Sequence, residues 1–354
     1  MIKKVSRSHA NTGTVGSNDQ ICRRELLTFA VGLVLSATGC TSSTVKSSSP
    51  SERSVVASPP EEAPSPSPTP SVAKSPSSVA MPHVQLWRPS SADIEPQAKL
   101  QAVRVIEAIG TWSVGGSGLA ATEARIAALG EAGVLARETP SLRGDADRAV
   151  VGVIDAQYGG ILTDRASVLV ACRQWRVRGG VLTPGGTTVD VRLSRVGSQW
   201  RITALHPANP GPPAPTPSSL AARILRHPRI ELTPASAADV RAGRVHRSVL
   251  NALLTLATDY SIGVSVIRSG HPIYVFGTKR LSDHPRGRAF DTWRIDGHAV
   301  VDPATPKKLI TDYMQAAAAV GSYNVGGPYL LPGSGNQFFS DATHHDHVHA
   351  GFLH

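Results

Sequence analysis

Two short stretches near the C-terminus contain closely spaced histidines and acids. They are Ser282-Asp-His-Pro-Arg-Gly-Arg-Ala-Phe-Asp291 and His344-His-Asp-His-Val-His349. The first places His284 and Asp291 on either side of Gly287, and the second packs four histidines and one acid into six residues. Imidazole and carboxylate groups are zinc ligands, and a catalytic zinc site uses three protein ligands and keeps one position open. The two stretches together predict a hydrolytic zinc site.

Composition limits the partners and the chemistry. The chain has 354 residues and a formal net charge of +10, which favours a polyanionic partner such as nucleic acid, an anionic membrane or a cell-wall polymer. Of three cysteines, Cys22 and Cys40 lie at the extreme N-terminus, which leaves Cys172 without a partner. A disulfide framework and a cysteine-based zinc motif are therefore excluded. Cys172 lies in an apolar run and is expected to be a buried small hydrophobe.

The N-terminus has the pattern of an export signal. Basic residues precede an apolar run from Leu26 to about Leu35, and small residues follow before Cys40. The ending Leu35-Ser-Ala-Thr-Gly-Cys40 resembles a bacterial lipobox, which implies a signal peptide over 1–39 and a diacylglyceryl group on Cys40. The stretch Cys22-Arg-Arg-Glu-Leu-Leu27 resembles a twin-arginine motif, and the choice between that route and the Sec route stays open. A plain signal peptide or an uncleaved anchor is the alternative.

These signals predict an extracytoplasmic lipoprotein that is anchored in the cell membrane and faces the cell wall, and no nucleic-acid partner is expected there. Residues 40–82 are rich in serine and proline. Such a composition buries too little apolar surface to offset its ordering entropy, so this segment is predicted to be a disordered tether.

A first folded region is predicted over 83–209. Apolar spacing of three to four residues indicates two helices, and period-two alternation then indicates four strands with a hairpin turn at Gly197-Ser198. The order of helices followed by a meander is similar to the NTF2-like fold, which implies an accessory or spacer domain; a small binding cone for a cell-wall fragment is the alternative. The predicted elements are helices Pro96–Trp112 and Ala121–Leu129 and strands Ala149–Ile154, Ser167–Trp175, Thr188–Ser194 and Gln199–Leu205.

A Pro-rich linker at 210–218 marks the boundary to a second domain over 219–354. A capping box at Ser236-Ala-Ala-Asp239 predicts the start of a helix that continues to about Leu256. The fold class expected is α+β, with two domains that each contain an antiparallel sheet and flanking helices. The other predicted elements are strand Gly263–Ile267, a helix from Thr305-Pro306 to Gly321 and strand His347–Phe352.

The last strand has a geometric consequence for its histidines. Side chains alternate between the two faces of a strand, so His347 and His349 share one face while Val348 points to the other. One imidazole of the pair can then bind a metal ion while the other lies beside the bound water.

The two stretches resemble a known family. Ser282-x-His284-x-x-Gly287-x-Ala289-x-Asp291 fits the S-x-H-x-x-G-x-A-x-D signature of the D-alanyl-D-alanine metallopeptidases, and His347-x-His349 matches their closing H-x-H. The same group includes lysostaphin-type endopeptidases and the zinc domain of sonic hedgehog. The resemblance covers roughly 219–354 and implies one zinc ion bound by His284, Asp291 and His349.

The resemblance also implies roles for other residues. His347 would lie next to the zinc-bound water, and Arg268 would stabilise the oxyanion. The family usually has a glutamate where this chain has Asp346, so the general base stays open between Asp346 and His347. His344 and His345 are expected to take no part.

The function implied is that of an extracytoplasmic zinc peptidase that acts on peptidoglycan. Zinc-bound water would attack an amide bond in stem peptides or cross-links, as in a D,D-carboxypeptidase or endopeptidase. A non-catalytic, zinc-dependent cell-wall-binding lipoprotein is the alternative, because the hedgehog domain has the same ligands without hydrolysis. The facial triad of non-haem iron oxygenases fits less well, because those enzymes place the first histidine and the acid two residues apart.

Overall fold

The computed structural model describes residues 79–354, and these belong to one compact unit. The predicted signal peptide 1–39, the lipidated Cys40 and the tether up to residue 78 lie outside the described residues. Within 79–354, no helix combines the length and the apolar character needed to cross a membrane.

The first part of the described chain forms a four-stranded antiparallel sheet, sheet A, in the order β1-β2-β3-β4. Its strands are β1 (Arg148–Ile161), β2 (Arg165–Arg178), β3 (Val181–Val196) and β4 (Gln199–Pro207). The helices before it are α1 (Pro96–Gly110), α2 (Leu119–Ala127) and α3 (Pro140–Arg143), with a 3₁₀ helix at Gly133–Glu138 between α2 and α3. Apolar side chains of α1 share a core with the facing side of the sheet.

Both helices and all four strands predicted for this region are present. The strands are longer than predicted, because the pairing of β1, β2 and β3 continues beyond their apolar centres up to short turns of three and two residues. Cys172 is a fully buried part of this core, and burial raises the pKa of its thiol to about 12. It therefore behaves as the small hydrophobe that its sequence context predicts.

The second part forms sheet B, whose main path runs β10-β9-β11-β7-β6-β5, with β8 paired to β7. Its strands are β5 (Ile230–Leu232), β6 (Ile262–Val266), β7 (Ala289–Ile295), β8 (His298–Ala299), β9 (Asn324–Gly326), β10 (Phe338–Phe339) and β11 (Val348–Gly351). Its helices are α4 (Ser219–Arg226), α5 (Pro234–Arg241), α6 (Arg247–Leu256) and α7 (Lys307–Ala319). The predicted linker 210–218 falls between β4 and α4.

The α+β fold class is confirmed, with helices flanking both sheets. Sheet B is mixed, however, where antiparallel pairing was expected: β5 pairs with β6 in parallel, and β9 pairs with β10 in parallel. The physical reason is the connection. The chain passes through α5 and α6 between β5 and β6, and such a crossover returns it in the same direction.

One predicted helix is in fact two. The helix predicted to open at Ser236 begins at Pro234, because Thr233 is the N-cap and its hydroxyl accepts a hydrogen bond from the Ser236 backbone N–H. This helix, α5, ends at Arg241, and α6 starts at Arg247 with His246 as its cap. The apolar positions assigned to one helix face therefore belong to two helices.

Sheet A and the second part of the chain meet closely at Gly186 on β3. Its φ is +144°, and a Cβ at this position would lie 2.2 Å from the Cys172 carbonyl oxygen and 2.7 Å from the Pro234 side chain at the start of α5. Only a residue without a side chain lets α5 pack this closely against the sheet.

We expect Gly186→Ala to lower the free energy of unfolding by about 2–4 kcal/mol, because it combines an unfavourable φ with overpacking. The matched control is Gly297→Ala, which also has a positive φ (+84°) but open space around the new methyl group. The control should lose only about 1 kcal/mol. Urea unfolding of both variants measures the difference, and equal losses would contradict the close packing.

Candidate metal centre

The sequence around the first stretch builds a turn that aims His284 inwards. A 3₁₀ turn over His284–Arg286 ends at Gly287, whose φ is +69°. A Cβ on Gly287 would lie 2.2 Å from the Arg244 carbonyl oxygen, so glycine is required for both conformation and space. The chain then enters β7, which carries Asp291, and Asp291 lies directly opposite His349 of β11 in the antiparallel register.

The structure brings His284, Asp291 and His349 together. The Asp291 Oδ1 atom lies 3.1 Å from His284 Nε2 and 3.0 Å from His349 Nδ1, and the two nitrogens are 3.1 Å apart. All three residues are buried. Zinc bonds of about 2.0–2.1 Å in tetrahedral geometry separate neighbouring ligand atoms by roughly 3.3 Å. We call these three atoms the ligand triangle, and its size and donor types fit a zinc ion.

Further hydrogen bonds orient two of the three groups. His284 Nδ1 lies 2.8 Å from the Ile267 carbonyl oxygen, to which it donates, and this leaves Nε2 with a free lone pair in the neutral ring. The second oxygen of Asp291 accepts a hydrogen bond of 2.7 Å from Gln157 Nε2. Such supporting bonds to ligand groups are a general feature of metal sites.

The protonation states also suit a cation. Burial lowers the pKa of His349 to about 4, so its imidazole is neutral at pH 7. Burial acts to raise the pKa of Asp291, but His284 and His347 beside it outweigh this effect and hold the pKa well below its usual range. A neutral imidazole and an ionised carboxylate are the forms that bind metal.

His347 and Asp346 form a hydrogen-bonded pair beside the triangle. His347 Nδ1 lies 2.6 Å from Asp346 Oδ1, and His347 Nε2 lies 3.8 Å from Asp291 Oδ1. The other oxygen of Asp346 accepts from the Lys99 ammonium at 2.6 Å and from the Tyr158 backbone N–H at 3.0 Å. Both oxygens of Asp346 are thus engaged, and His347 is the member of the pair that faces the triangle.

The charges around this pair are strongly coupled. Burial acts to raise the pKa of Asp346, but the Lys99 ammonium and the His347 hydrogen bond outweigh it and keep the carboxyl ionised. Burial acts to lower the pKa of His347, but Asp291 and Asp346 raise it above its usual value. A cation in the triangle would act against this rise, because like charges disfavour the imidazolium form.

Arg268 is placed differently from its predicted role. Its guanidinium Nη1 lies 3.5 Å from Asp239 Oδ1, and its backbone N–H donates to Asp239 Oδ2 at 3.2 Å. It is not one of the residues that line the cleft at the triangle. Action as an oxyanion donor would therefore require Arg268 to leave the pair with Asp239.

The two histidines expected to take no part have separate positions. His345 faces away towards the segment before α1, where its Nε2 accepts a hydrogen bond of 3.1 Å from the Ile94 N–H. His344 lines the cleft, with its Nδ1 2.7 Å from Asp341 Oδ1 and its ring 4.7 Å from the Phe339 ring. His344 is therefore part of the wall around the site.

The triangle opens into a cleft of about 570 Å³. One wall is the end of β1 from Tyr158 to Leu162, and the other walls come from 271–284 and 336–349. The backbone of Gly160 lies against the Phe276 ring, so closely that a Cβ would come within 2.0 Å of the Phe276 side chain. Both parts of the described chain thus form the cleft.

His271, Lys99 and Gln157 are parts of the site that the sequence reasoning did not identify. His271 stacks on His284 with ring centroids 4.0 Å apart, and burial together with His284 keeps its pKa well below the usual value. Its position in the segment that follows β6 was a usable signal. The sequence also indicates that Lys99 is unusual, because this charged residue lies on the apolar face of α1 with Ala102 and Ile106. The alternation of β1 did not indicate a role for Gln157.

His271 also lies close enough to His284 and Asp291 to form a group of potential ligands with them, and Asp93, His345 and Asp346 form a second group nearby. The ammonium of Lys99 bonds to both carboxylates of this group, and its side chain is almost completely buried. Lys99 therefore supplies the positive charge that these acids require, and the group does not fit a second metal ion.

Comparison of the chain with protein-family models, curated proteins and solved structures gives no match. The resemblance to the D-alanyl-D-alanine metallopeptidases stays a prediction that is based on the signature from Ser282 to Asp291 and on the closing His347-x-His349. The functional argument below is based on the geometry of those residues.

We expect the purified protein, stripped with a chelator and dialysed against zinc, to retain about one zinc ion, as the ligand triangle requires. His284→Ala removes one of three ligands and should weaken zinc binding at least about 100-fold, more than the loss of a supporting group does. His206→Ala is the control, because His206 is exposed on β4. Atomic absorption measures the zinc content, and an unchanged content in His284→Ala would exclude the assignment.

Proposed function

We propose that the protein is a zinc-dependent peptidase that hydrolyses an amide bond in peptidoglycan stem peptides or cross-links. The observation that carries this proposal is the position of the Asp346–His347 pair beside the ligand triangle at the cleft. A purely structural zinc site is closed by four protein ligands. The ligand triangle supplies three ligand atoms, with the His271 ring stacked on His284, and a hydrogen-bonded acid–histidine pair lies next to them.

His284, Asp291 and His349 would hold the ion. When bound, zinc supplies Lewis acidity: it polarises a scissile carbonyl and lowers the pKa of a water towards 7. The remaining chemistry belongs to the side chains of the protein.

His347 is the proposed general base. Asp346 accepts from His347 Nδ1, which fixes the proton on that nitrogen and leaves Nε2 free on the side of the triangle. As the water oxygen bonds to the carbonyl carbon, Nε2 takes the water proton. It then gives this proton to the amide nitrogen as the carbon–nitrogen bond breaks, so that a carboxylic acid and a free amine leave.

Asp346 acts in this proposal as a positioning residue. Its two oxygens bond to His347 on one side and to Lys99 and the Tyr158 N–H on the other. A carboxylate with three such donors is a poor proton acceptor, and its lowered pKa has the same origin. This favours His347 over Asp346 as the base.

The substrate class is supported by the surroundings of the cleft. Arg280 lines the cleft, and Lys279, Arg286 and Arg288, which are close to it in sequence, would extend a basic rim for peptide carboxylates. The formal net charge of +10 suits an anionic cell wall. The proposed location follows from the N-terminal sequence: an extracytoplasmic lipoprotein is held in the membrane through Cys40 and faces peptidoglycan.

We expect the zinc-loaded protein to release D-alanine from pentapeptide muropeptides or to convert cross-linked dimers into monomers. Mass spectrometry of the products distinguishes the two. His347→Ala should lower kcat by about 10²–10⁴-fold, the usual contribution of a general base, while the zinc content stays at that of the wild type.

His206→Ala should retain full activity, because His206 is exposed on β4 and is not one of the residues that line the cleft. Zinc bound at one equivalent without cleavage of any muropeptide would overturn the enzymatic proposal in favour of a zinc-dependent wall-binding lipoprotein. Unchanged activity in His347→Ala would overturn the assignment of the base.

A further inference from the structure

The first part of the described chain contributes directly to the metal centre. Gln157 of β1 donates to Asp291, and the Tyr158 N–H and the Lys99 ammonium of α1 donate to Asp346. These contacts are long-range: Gln157 and Asp291 are 134 residues apart, and Tyr158 and Asp346 are 188 residues apart. An accessory or spacer domain would have no need to reach the site.

We propose that Gln157 and Lys99 are positioning residues that complete the zinc site, so that sheet A and α1 are part of the catalytic centre. This inference rests on the proposed zinc site. In this proposal, Gln157 orients the metal ligand Asp291, and Lys99 orients the Asp346–His347 pair.

Gln157 determines which oxygen of Asp291 faces the ligand triangle. The side chain of Gln157 is buried, and its amide nitrogen donates to Asp291 Oδ2 at 2.7 Å. Its amide oxygen accepts from the Ser265 hydroxyl on β6, which fixes the orientation of the amide. Asp291 is thereby held with Oδ1 towards His284 and His349.

Lys99 determines the position of the Asp346–His347 pair. It lies on the buried face of α1, bonds to Asp93 and Asp346, and lies 5.1 Å from the centre of the Tyr158 ring. Without this ammonium, two buried carboxylates would be left without their cation, which is strongly unfavourable. Asp346 would then turn or take up a proton, and His347 would lose its fixed partner.

The same elements also limit where a substrate can lie. The β1 backbone from Tyr158 to Leu162 forms one wall of the cleft, and the contact of Gly160 with Phe276 fixes the loop that forms the opposite side. The Ile161 N–H donates to the Thr343 hydroxyl at 3.3 Å, so β1 is bonded to the residue that immediately precedes the second stretch. A peptide in the cleft would contact both parts of the chain.

The decisive experiment compares two buried glutamines of sheet A in the full chain. Gln157→Ala removes the bond to Asp291, whereas Gln174→Ala removes bonds to the Gly110 and Leu142 carbonyl oxygens on the helix side of the sheet. Both variants lose buried hydrogen bonds. Only Gln157→Ala should lower zinc affinity, by about 10–100-fold in competition with a chromophoric chelator. Gln157→Asn, which keeps an amide, should recover part of the loss.

Equal zinc affinity in Gln157→Ala and wild type would overturn the role of Gln157, and a similar loss in Gln174→Ala would overturn its specificity. The outcome is independent of peptidase activity: reduced zinc affinity in a protein that cleaves no muropeptide supports this inference and contradicts the proposed function. A wild-type protein that binds no zinc would contradict both.

The role of Lys99 is tested by measuring zinc affinity and kcat separately. Lys99→Met should leave zinc affinity within about twofold and lower kcat by about 10–100-fold, with little change in KM, because it disturbs the pair that supports His347. Lys99→Arg keeps the positive charge and should recover part of kcat. A folded Lys99→Met variant with the kcat of the wild type would overturn this role. If Lys99→Met does not fold, the comparison is made with Lys99→Arg. Zinc-dependent turnover of Lys99→Arg that is no higher than that of His347→Ala would then overturn the role of Lys99.

Discussion

The buried carboxylate of Asp346 is the group on which the arrangement of the two stretches depends. Its partners come from three places: the imidazole of His347, the ammonium of Lys99 on α1 and the backbone of Tyr158 on β1. Moving a carboxylate out of water costs several kcal/mol unless such partners replace the hydration shell. The C-terminal stretch can therefore occupy its buried position only where α1 and β1 are already in place.

The position of the Lys99 ammonium also distinguishes two groups of acids and histidines that have similar compositions. The group of Asp93, His345 and Asp346 holds acids and an imidazole, yet the Lys99 ammonium lies between its carboxylates. Among the described residues, the ligand triangle has no such lysine between its groups, and the imidazoles of His271 and His347 lie beside it. The structure thus provides one place where a metal ion would add a needed positive charge and one where it would not.

The sequence predicted the local parts of this arrangement well. The signature from Ser282 to Asp291 is short. The placement of His284 and Asp291 therefore depends on the turn at Gly287 and on the alternation of β7, and both follow from neighbouring residues. The limits appear where distant segments meet. Arg268 was assigned by its place beside a turn, but the buried Asp239 on α5 pairs with it, and no local pattern connects those two residues.

Gln157 shows the same limit more clearly. A polar residue within a strand has many roles, and only the packing of sheet A against sheet B determines that its amide meets Asp291. The parallel pairing of β5 and β6 was likewise missed, because it depends on the route of the chain through two helices rather than on alternation. Local periodicity indicates which elements form, whereas contacts between elements are determined by the whole chain.

The bond between Ile94 and His345 joins residues that are 251 positions apart. Closing so long a loop has an entropic cost that must be met before the contact forms, and proteins rich in such non-local contacts fold slowly. A chain that is made and folds from its N-terminus would thus complete the proposed metal centre only after its final residues have reached α1 and β1. For the proposed peptidase, this order of assembly would by itself keep an incomplete chain inactive, without a separate inhibitor.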